Sequence, residues 1–189
     1  MNKIILLLVV TVTLLGCKTS EKEVDKLELA KRYYKFLDSS DTSGMLTLLG
    51  DSIVIRESED NYEERFSKKG YINWLEWDAV FEPTYKIIEI EQDSEMVKAK
   101  ISKIDKRLFF LHEEPMVWNE IIQFDNNKIT RVERVKYEVF DISRFVKNRE
   151  ELVHWVDKNH PELNGFLEAQ TKFVAMKYLK ALELFQNKK

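Results

Sequence analysis

The stretch from Met116 to Tyr137, MVWNEIIQF followed by DNNK and ITRVERVKY, constrains the fold more than any other. Two runs rich in β-branched and aromatic residues flank Asn126-Asn127, a dipeptide that tolerates the positive φ angles of a two-residue hairpin turn. Pairing Asp125 with Lys128 fixes a register. It sets Phe124 opposite Ile129, Ile122 opposite Arg131, Glu120 opposite Glu133, Trp118 opposite Val135 and Met116 opposite Tyr137. This face is the more apolar of the two and is expected to point inward. It nevertheless carries two facing carboxylates beside an arginine, which a plain core does not accept without partners.

Around this hairpin the chain reads as helices first and antiparallel strands afterwards. Leu27, Ala30, Tyr34 and Leu37 form one apolar stripe of a helix over Glu21–Ser39, and a short second helix is expected over Met45–Leu49. Ser52–Ile55 is a β-branched strand, and the polar run 57–66 reads as a surface loop. Ser67 caps a third helix, Lys68 to Phe81, whose broad apolar face of Tyr71, Trp74, Leu75 and Phe81 has Asp78 at its centre. After Pro83 two strands, Thr84–Glu91 and Met96–Lys103, lie either side of Asp93-Ser94-Glu95. Residues 104–115 then lead into the hairpin. Runs of helices followed by runs of strands define an α+β architecture.

Beyond Asp141 the pattern is helical again. Arg149–Lys158 and Gly165–Gln186 are expected as two helices, broken by Asn159-His160-Pro161-Glu162. In the second, Leu167, Thr171, Val174, Tyr178, Ala181 and Phe185 recur at helical spacing, and further apolar residues lie elsewhere on its surface. The pair is expected to cover the sheet or the mouth of the fold, with partner binding as the second reading.

The N-terminus is an address. Lys3 precedes an apolar run, Ile4–Leu15, too short to span a bilayer comfortably, which ends in Leu14-Leu15-Gly16-Cys17. This resembles a bacterial lipoprotein signal, which implies cleavage after Gly16 and lipid on Cys17. Residues 17–23 then form the lipidated cysteine and tether. Multiple acyl chains anchor a protein stably, since each buried methylene contributes about 0.8 kcal/mol. The expected location is the bacterial cell envelope, with Lys18 favouring an outer membrane over an inner one where two exist. The chain after residue 16 has 29 basic and 33 acidic residues, a net charge of −4. Without a basic run interleaved with aromatics, nucleic acid is not an expected partner.

The helix entry KKGYINW and the closing run FDNNKITRVERVKYEVFD, set in this order of elements, resemble the nuclear-transport-factor-2-like superfamily and within it the SnoaL-like branch. The resemblance covers residues 24–141 and leaves 142–189 as a helical extension. It implies a curved antiparallel sheet wrapped around the N-terminal helices, a cone with a pocket at its open end. Enzymes of this fold use pocket acids and tyrosines, and no diagnostic catalytic pair aligns here.

Chemistry is accordingly sought among pocket residues. Facing carboxylates on a partly buried face push one pKa up, so Glu120 and Glu133, with Asp78, are the catalytic candidates. Tyr34, Trp74, Asp78, Trp118, Glu120, Arg131, Glu133 and Tyr137 are the candidate ligand pocket. Metal binding is unsupported by three scattered histidines and one cysteine, and no cofactor is expected. There is no G-x-S-x-G elbow and no phosphate-binding loop. The expected function is an anchored envelope module that binds a small apolar or amphipathic molecule without catalysis. The alternatives are a proton-transfer enzyme of isomerase, dehydratase or cyclase type, or an assembly subunit. Expected partners are the membrane, such a ligand, and a second copy or another envelope protein.

Overall fold

A computed structural model describes residues 25–188; the expected signal, Cys17 and the expected tether lie outside them. Three helices open the described chain. Each has a side-chain N-cap that satisfies an otherwise orphaned backbone N–H. Asp25 caps α1 (Lys26–Asp38), Asp41 caps α2 (Thr42–Leu48) and Ser67 caps α3 (Lys68–Ala79). Between α2 and α3 lie β1 (Leu49–Glu57) and β2 (Tyr62–Ser67). The stretch expected as a loop is therefore largely a hairpin strand. Its acidic residues mask the alternation of Tyr62, Glu64 and Phe66 on one face with Glu63 and Arg65 on the other.

Strands β3 (Thr84–Asp93), β4 (Met96–Ile104), β5 (Met116–Asp125) and β6 (Lys128–Val139) complete a six-stranded sheet ordered β2-β1-β6-β5-β4-β3. Only the β1–β6 pairing is parallel. A short helix not anticipated from the sequence, α4 (Lys106–His112), joins β4 to β5. Asp105 caps it, accepting from the Leu108 amide at 2.6 Å, and Glu113 at φ 71° ends it in the left-handed region. Leu108–Phe109–Phe110–Leu111 therefore belongs to a helix and not to the approach of a strand.

The β5–β6 hairpin turns as expected, with Asn126 at φ 48° and Asn127 at φ 59° and Asp125 paired with Lys128. The expected register holds only to Phe124 and Ile129. Thr130 is an extra residue, so Gln123 faces Arg131 and Ile122 faces Val132. Two further bulges, at Val135 and Glu138, set Glu120 opposite Arg134 and Trp118 opposite Tyr137. A bulge inserts one residue into one strand and increases local bend and twist. Here it also exchanges the faces of β6. Glu133 turns outward and Arg134 turns in, which overturns the expected Glu120–Glu133 pair with its Arg131 neighbour.

The concave face of the sheet and the three first helices enclose one core, with Tyr33, Tyr34, Met45, Ile53, Tyr71, Leu75, Ile101 and Ile122 buried in it. The C-terminal segment builds a second. Helix α5 runs Ile142–Asn159, longer than expected because Asp141 caps it, and α6 begins only at Lys172, capped by Thr171. Leu152, Val156, Ala175, Tyr178, Ala181 and Leu182 pack there with Trp77 and Phe81 of α3 and its C-terminal end. Helix α5 packs on α4, and α6 on α3 and α4, and neither lies across the sheet. No described helix is long and apolar enough to cross a membrane.

The hairpin turn is testable. Glycine at position 127 is expected to preserve stability, because it adopts positive φ without a Cβ clash. Valine there should cost about 1–2 kcal/mol in urea unfolding, the approximate cost of a left-handed conformation.

Candidate functional site

The sheet closes around a cavity of ≈ 360 Å³. Tyr71, Trp74 and Trp77 of α3 form one wall, Trp118 and Tyr137 of the central hairpin another, and Phe140 and Phe145 extend it toward α5. At helical spacing, Tyr71, Trp74 and Trp77 fall along one stretch of α3, so a single helix presents three aromatic rings. Asp60 and Glu64 of the β1–β2 hairpin also line the cavity, as do Ile142 and Gln170 of the C-terminal segment. The expected covering role of that segment is therefore partial: it supplies part of the wall and leaves the cavity open.

Three carboxylates stand in or behind this wall, and each has both oxygens occupied. Glu120, 4% exposed, accepts from the Tyr34 hydroxyl at 2.6 Å through Oε1 and from the Trp118 indole N–H at 2.6 Å through Oε2. Asp78, fully buried, accepts from Lys103 Nζ at 2.5 Å through Oδ1 and from the Tyr85 hydroxyl at 2.9 Å through Oδ2. Glu57 accepts from Arg134 Nη1 at 2.6 Å and from the Tyr137 hydroxyl at 3.2 Å. Arg134 also lies 5.0 Å from the Trp118 ring centre, a cation–π distance. Buried charges require such partners, because an unpaired one loses its hydration without return.

Lys103 further bridges to Asp105 at 3.4 Å, and Asp105 meets Arg107 at 3.3 Å. The same carboxylate that caps α4 thus ties two cations to the cavity wall. Burial pushes the hydroxyl pKa values of Tyr34 and Tyr85 well up, with the nearby carboxylates Glu120 and Asp78 adding to the shift, so both remain donors at neutral pH. Burial likewise raises the Glu120 carboxyl, against the lowering influence of Arg134, Tyr34 and Trp118.

The residues expected from the sequence divide clearly. Trp74, Asp78, Trp118 and Tyr137 line the cavity, whereas Tyr34 and Glu120 do not line it and stand behind Trp118, joined to it by hydrogen bonds. Arg131 and Glu133 do neither. Glu133 accepts from Ser58 Oγ at 2.7 Å and lies 3.4 Å from Arg131 Nε and 3.5 Å from Arg56 Nε, on the opposite face of the sheet. Those donors, Ser58 first, hold its carboxyl below the ordinary range. Bulges moved both residues away. Lys103 and Arg134 were missed. For Lys103 a signal existed: Val97, Ala99, Ile101 and Lys103 share the buried face of β4, and a lysine closing such a row needs a buried acid. Arg134 had none, since its inward position depends on the unpaired Thr130.

His112 is not a ligand. The Asp141 amide donates to its Nε2 at 2.7 Å, so the proton sits on Nδ1 and is donated to the Glu114 carbonyl at 2.9 Å. It joins the end of α4 to the cap of α5. Among the described residues no three His, Cys, Asp or Glu side chains converge as metal ligands.

The raised Glu120 pKa carries a pH dependence. The folded state holds this proton above the ordinary value of 4.5, so its contribution is full below that value and is lost as pH rises through the folded one. The stability of the chain minus that of Glu120→Gln, from urea unfolding, is expected to fall over this window. A difference that stays flat from about pH 4 to 8 contradicts the assignment.

No protein-family model matches the chain, and no curated protein matches it at a significant level. Among solved structures, a protein from Kribbella flavida is similar at 12% identity over 66% of this chain and 93% of its own, with a TM-score of 0.50. A nuclear-transport-factor-2-like protein of unknown function from Cytophaga hutchinsonii is similar at 8% identity over 62% of this chain and 94% of its own, with a TM-score of 0.49. The epoxide hydrolase/cyclase-like enzyme SalBIII, of pyran ring formation in the polyether salinomycin, is similar at 10% identity over 59% of this chain and 89% of its own, with a TM-score of 0.48. At such identities a likeness speaks for the fold alone. With helices α1–α3 held in the concave face of a six-stranded, mostly antiparallel, unclosed sheet, the chain is an α+β cone whose fold is shared with the Kribbella flavida protein.

Proposed function

We propose that this chain is a binding module for a small apolar or amphipathic molecule, held at the bacterial cell envelope by lipid on Cys17. The observation that carries the binding reading is the state of the three interior carboxylates. All six oxygens of Glu57, Asp78 and Glu120 already accept from fixed donors of the chain itself. A general base needs an acceptor position within reach of a substrate proton, and here every carboxylate oxygen is already turned to a donor of the chain itself. What the cavity offers a ligand is mainly aromatic surface. A cavity of ≈ 360 Å³, lined by aromatic rings together with charged side chains, is of the size that takes small ligands.

The second reading is proton-transfer catalysis through Glu120, favoured by one observation: burial holds its carboxyl above the ordinary range, as a general acid requires. Against it, Glu120 is 4% exposed and does not line the cavity, and each of its oxygens already accepts from Tyr34 or Trp118.

Native mass spectrometry of a soluble form beginning at Lys18, purified without detergent, tests binding directly. The expected result is a reproducible extra mass released on denaturation. A clean apo mass after exposure to lipid and cell extracts counts against the binding module. Anchoring is tested separately: Cys17→Ser is expected to shift the chain from the membrane to the soluble fraction, and retention in the membrane would exclude lipid on Cys17 as the anchor.

A further inference from the structure

The charges that line the cavity do not cancel, and the surplus is negative. Glu57, Asp60, Glu64 and Asp78 line it, against Lys103, Arg107 and Arg134. All three cations are held by acids of the chain itself. Lys103 meets Asp78 at 2.5 Å and Asp105 at 3.4 Å, Arg107 meets Asp105 at 3.3 Å, and Arg134 meets Glu57 at 2.6 Å. Asp60 and Glu64 remain, and neither has a cationic partner among the described residues. Both belong to the β1–β2 hairpin at the rim. The strand register sets Glu64 opposite Ile55 on the inner face, where its carboxylate accepts the Tyr62 hydroxyl at 2.5 Å. Its neighbour Glu63, on the outer face, meets Arg131 at 2.9 Å and Arg56 at 3.6 Å. The same strand neutralises its outer carboxylate and leaves the inner one bare.

A cleft with low-dielectric walls concentrates the field of such unbalanced charge. Aromatic faces act in the same sense, because their π clouds are negative and attract a cation within about 6 Å of the ring centre. The chain already places two of its own cations this way: Arg134 lies 5.0 Å from the Trp118 centre and Arg107 4.7 Å from that of Trp77. Tyr71 and Trp74, with centres 5.1 Å apart, line the cavity with no cation of the described residues over them. Arg149 reaches Phe145, at 5.9 Å from its centre, without lining the cavity. A hard metal ion needs a closed set of oxygen ligands, and no such set converges among the described residues. An organic ammonium needs only rings and a nearby carboxylate.

Resting on the binding reading, we infer that the ligand is a cationic amphiphile, an organic ammonium with its head at the Asp60–Glu64 rim and its apolar body along Tyr71 and Trp74. The site thereby selects cations over neutral and anionic molecules with the same body.

Three short-chain probes separate the parts of this claim. Octyltrimethylammonium, 1-octanol and octanoate carry similar alkyl chains and differ in the charge of the head. They are titrated into the soluble chain beginning at Lys18, with tryptophan fluorescence as the readout. The ammonium is expected to bind roughly tenfold more tightly than octanol, and octanoate more weakly than either. Asp60→Asn combined with Glu64→Gln keeps the size of both side chains and removes their charge. It should weaken ammonium binding roughly fivefold and leave octanol binding unchanged, which also shows that the variant is folded. If octanol binds and the ammonium has no advantage over it, or the double variant leaves that advantage intact, the cationic head is wrong and the binding module stands. If none of the three binds the unaltered chain, the binding module falls and the cationic head with it.

Discussion

A sheet that bends into a cone has to gain curvature somewhere, and here three bulges lie in β5–β6, beside one register shift each in β1–β6 and β3–β4. Each of the three bulges inserts one unpaired residue into β6, the second strand of the central hairpin, and bends the strand at that point. The inward residues of β6 consequently fall at Ile129, Val132, Arg134 and Tyr137, spaced by three, two and three and not by the regular two. Everything distinctive about the interior follows from that spacing. Arg134 is delivered opposite Glu120 and within reach of Glu57, Tyr137 is delivered beside Trp118, and the acid expected to face Glu120 is sent to the other side.

The bulges bring charge inside, and the fold then has to keep it satisfied. Three acids and their donors come from seven different elements: Tyr34 from α1, Asp78 from α3, Tyr85 from β3, Lys103 from β4, Glu120 and Trp118 from β5, Arg134 and Tyr137 from β6, and Glu57 from β1. Breaking one such buried pair leaves an uncompensated charge, worth about 3–5 kcal/mol. The network is therefore better described as a constraint on geometry than as a source of stability. Hydrogen bonds at 2.5–2.9 Å between different elements fix where the aromatic walls stand. A cavity can remain open in a core only if its walls cannot collapse, and a wall tied at its polar ends resists collapse better than an apolar one free to repack.

Which parts of this were legible in the sequence depends on the range of the interactions concerned. The caps Ser67 and Asp41, the Asn126-Asn127 turn and the apolar stripes of α1 and α3 are local, and local chemistry settles them. The burial of Asp78 at the centre of an apolar helical face was equally readable, since the 3.6-residue period leaves it nowhere else to go. Register is not local. A single unpaired residue such as Thr130 moves every later side chain of its strand to the opposite face. Nothing in the residues around Thr130 demands a bulge; the need for one comes from the curvature of the whole sheet. The sequence pattern thus located the cone and most of its aromatic wall, and misassigned the arginine and one acid inside it.

The C-terminal helices bear on the site through α3. One face of that helix turns Tyr71 and Leu75 into the first core, and the other turns Trp77 toward the second core, with Phe81 just beyond the helix end, while Trp74 touches both. A cone of this size without α5 and α6 would leave Trp77, Phe81 and Phe110 facing water, a contiguous aromatic surface that favours association. Packed as they are, Phe81 against Tyr178 at 5.5 Å and Phe110 against Phe185 at 5.3 Å, these rings hold α3 from outside while Asp78 holds it from inside. The orientation of the cavity's principal wall is set by both cores at once. The extension therefore acts on the site by fixing α3, and its contributions to the lining, Ile142 and Gln170, come from the ends of segments whose positions that packing determines.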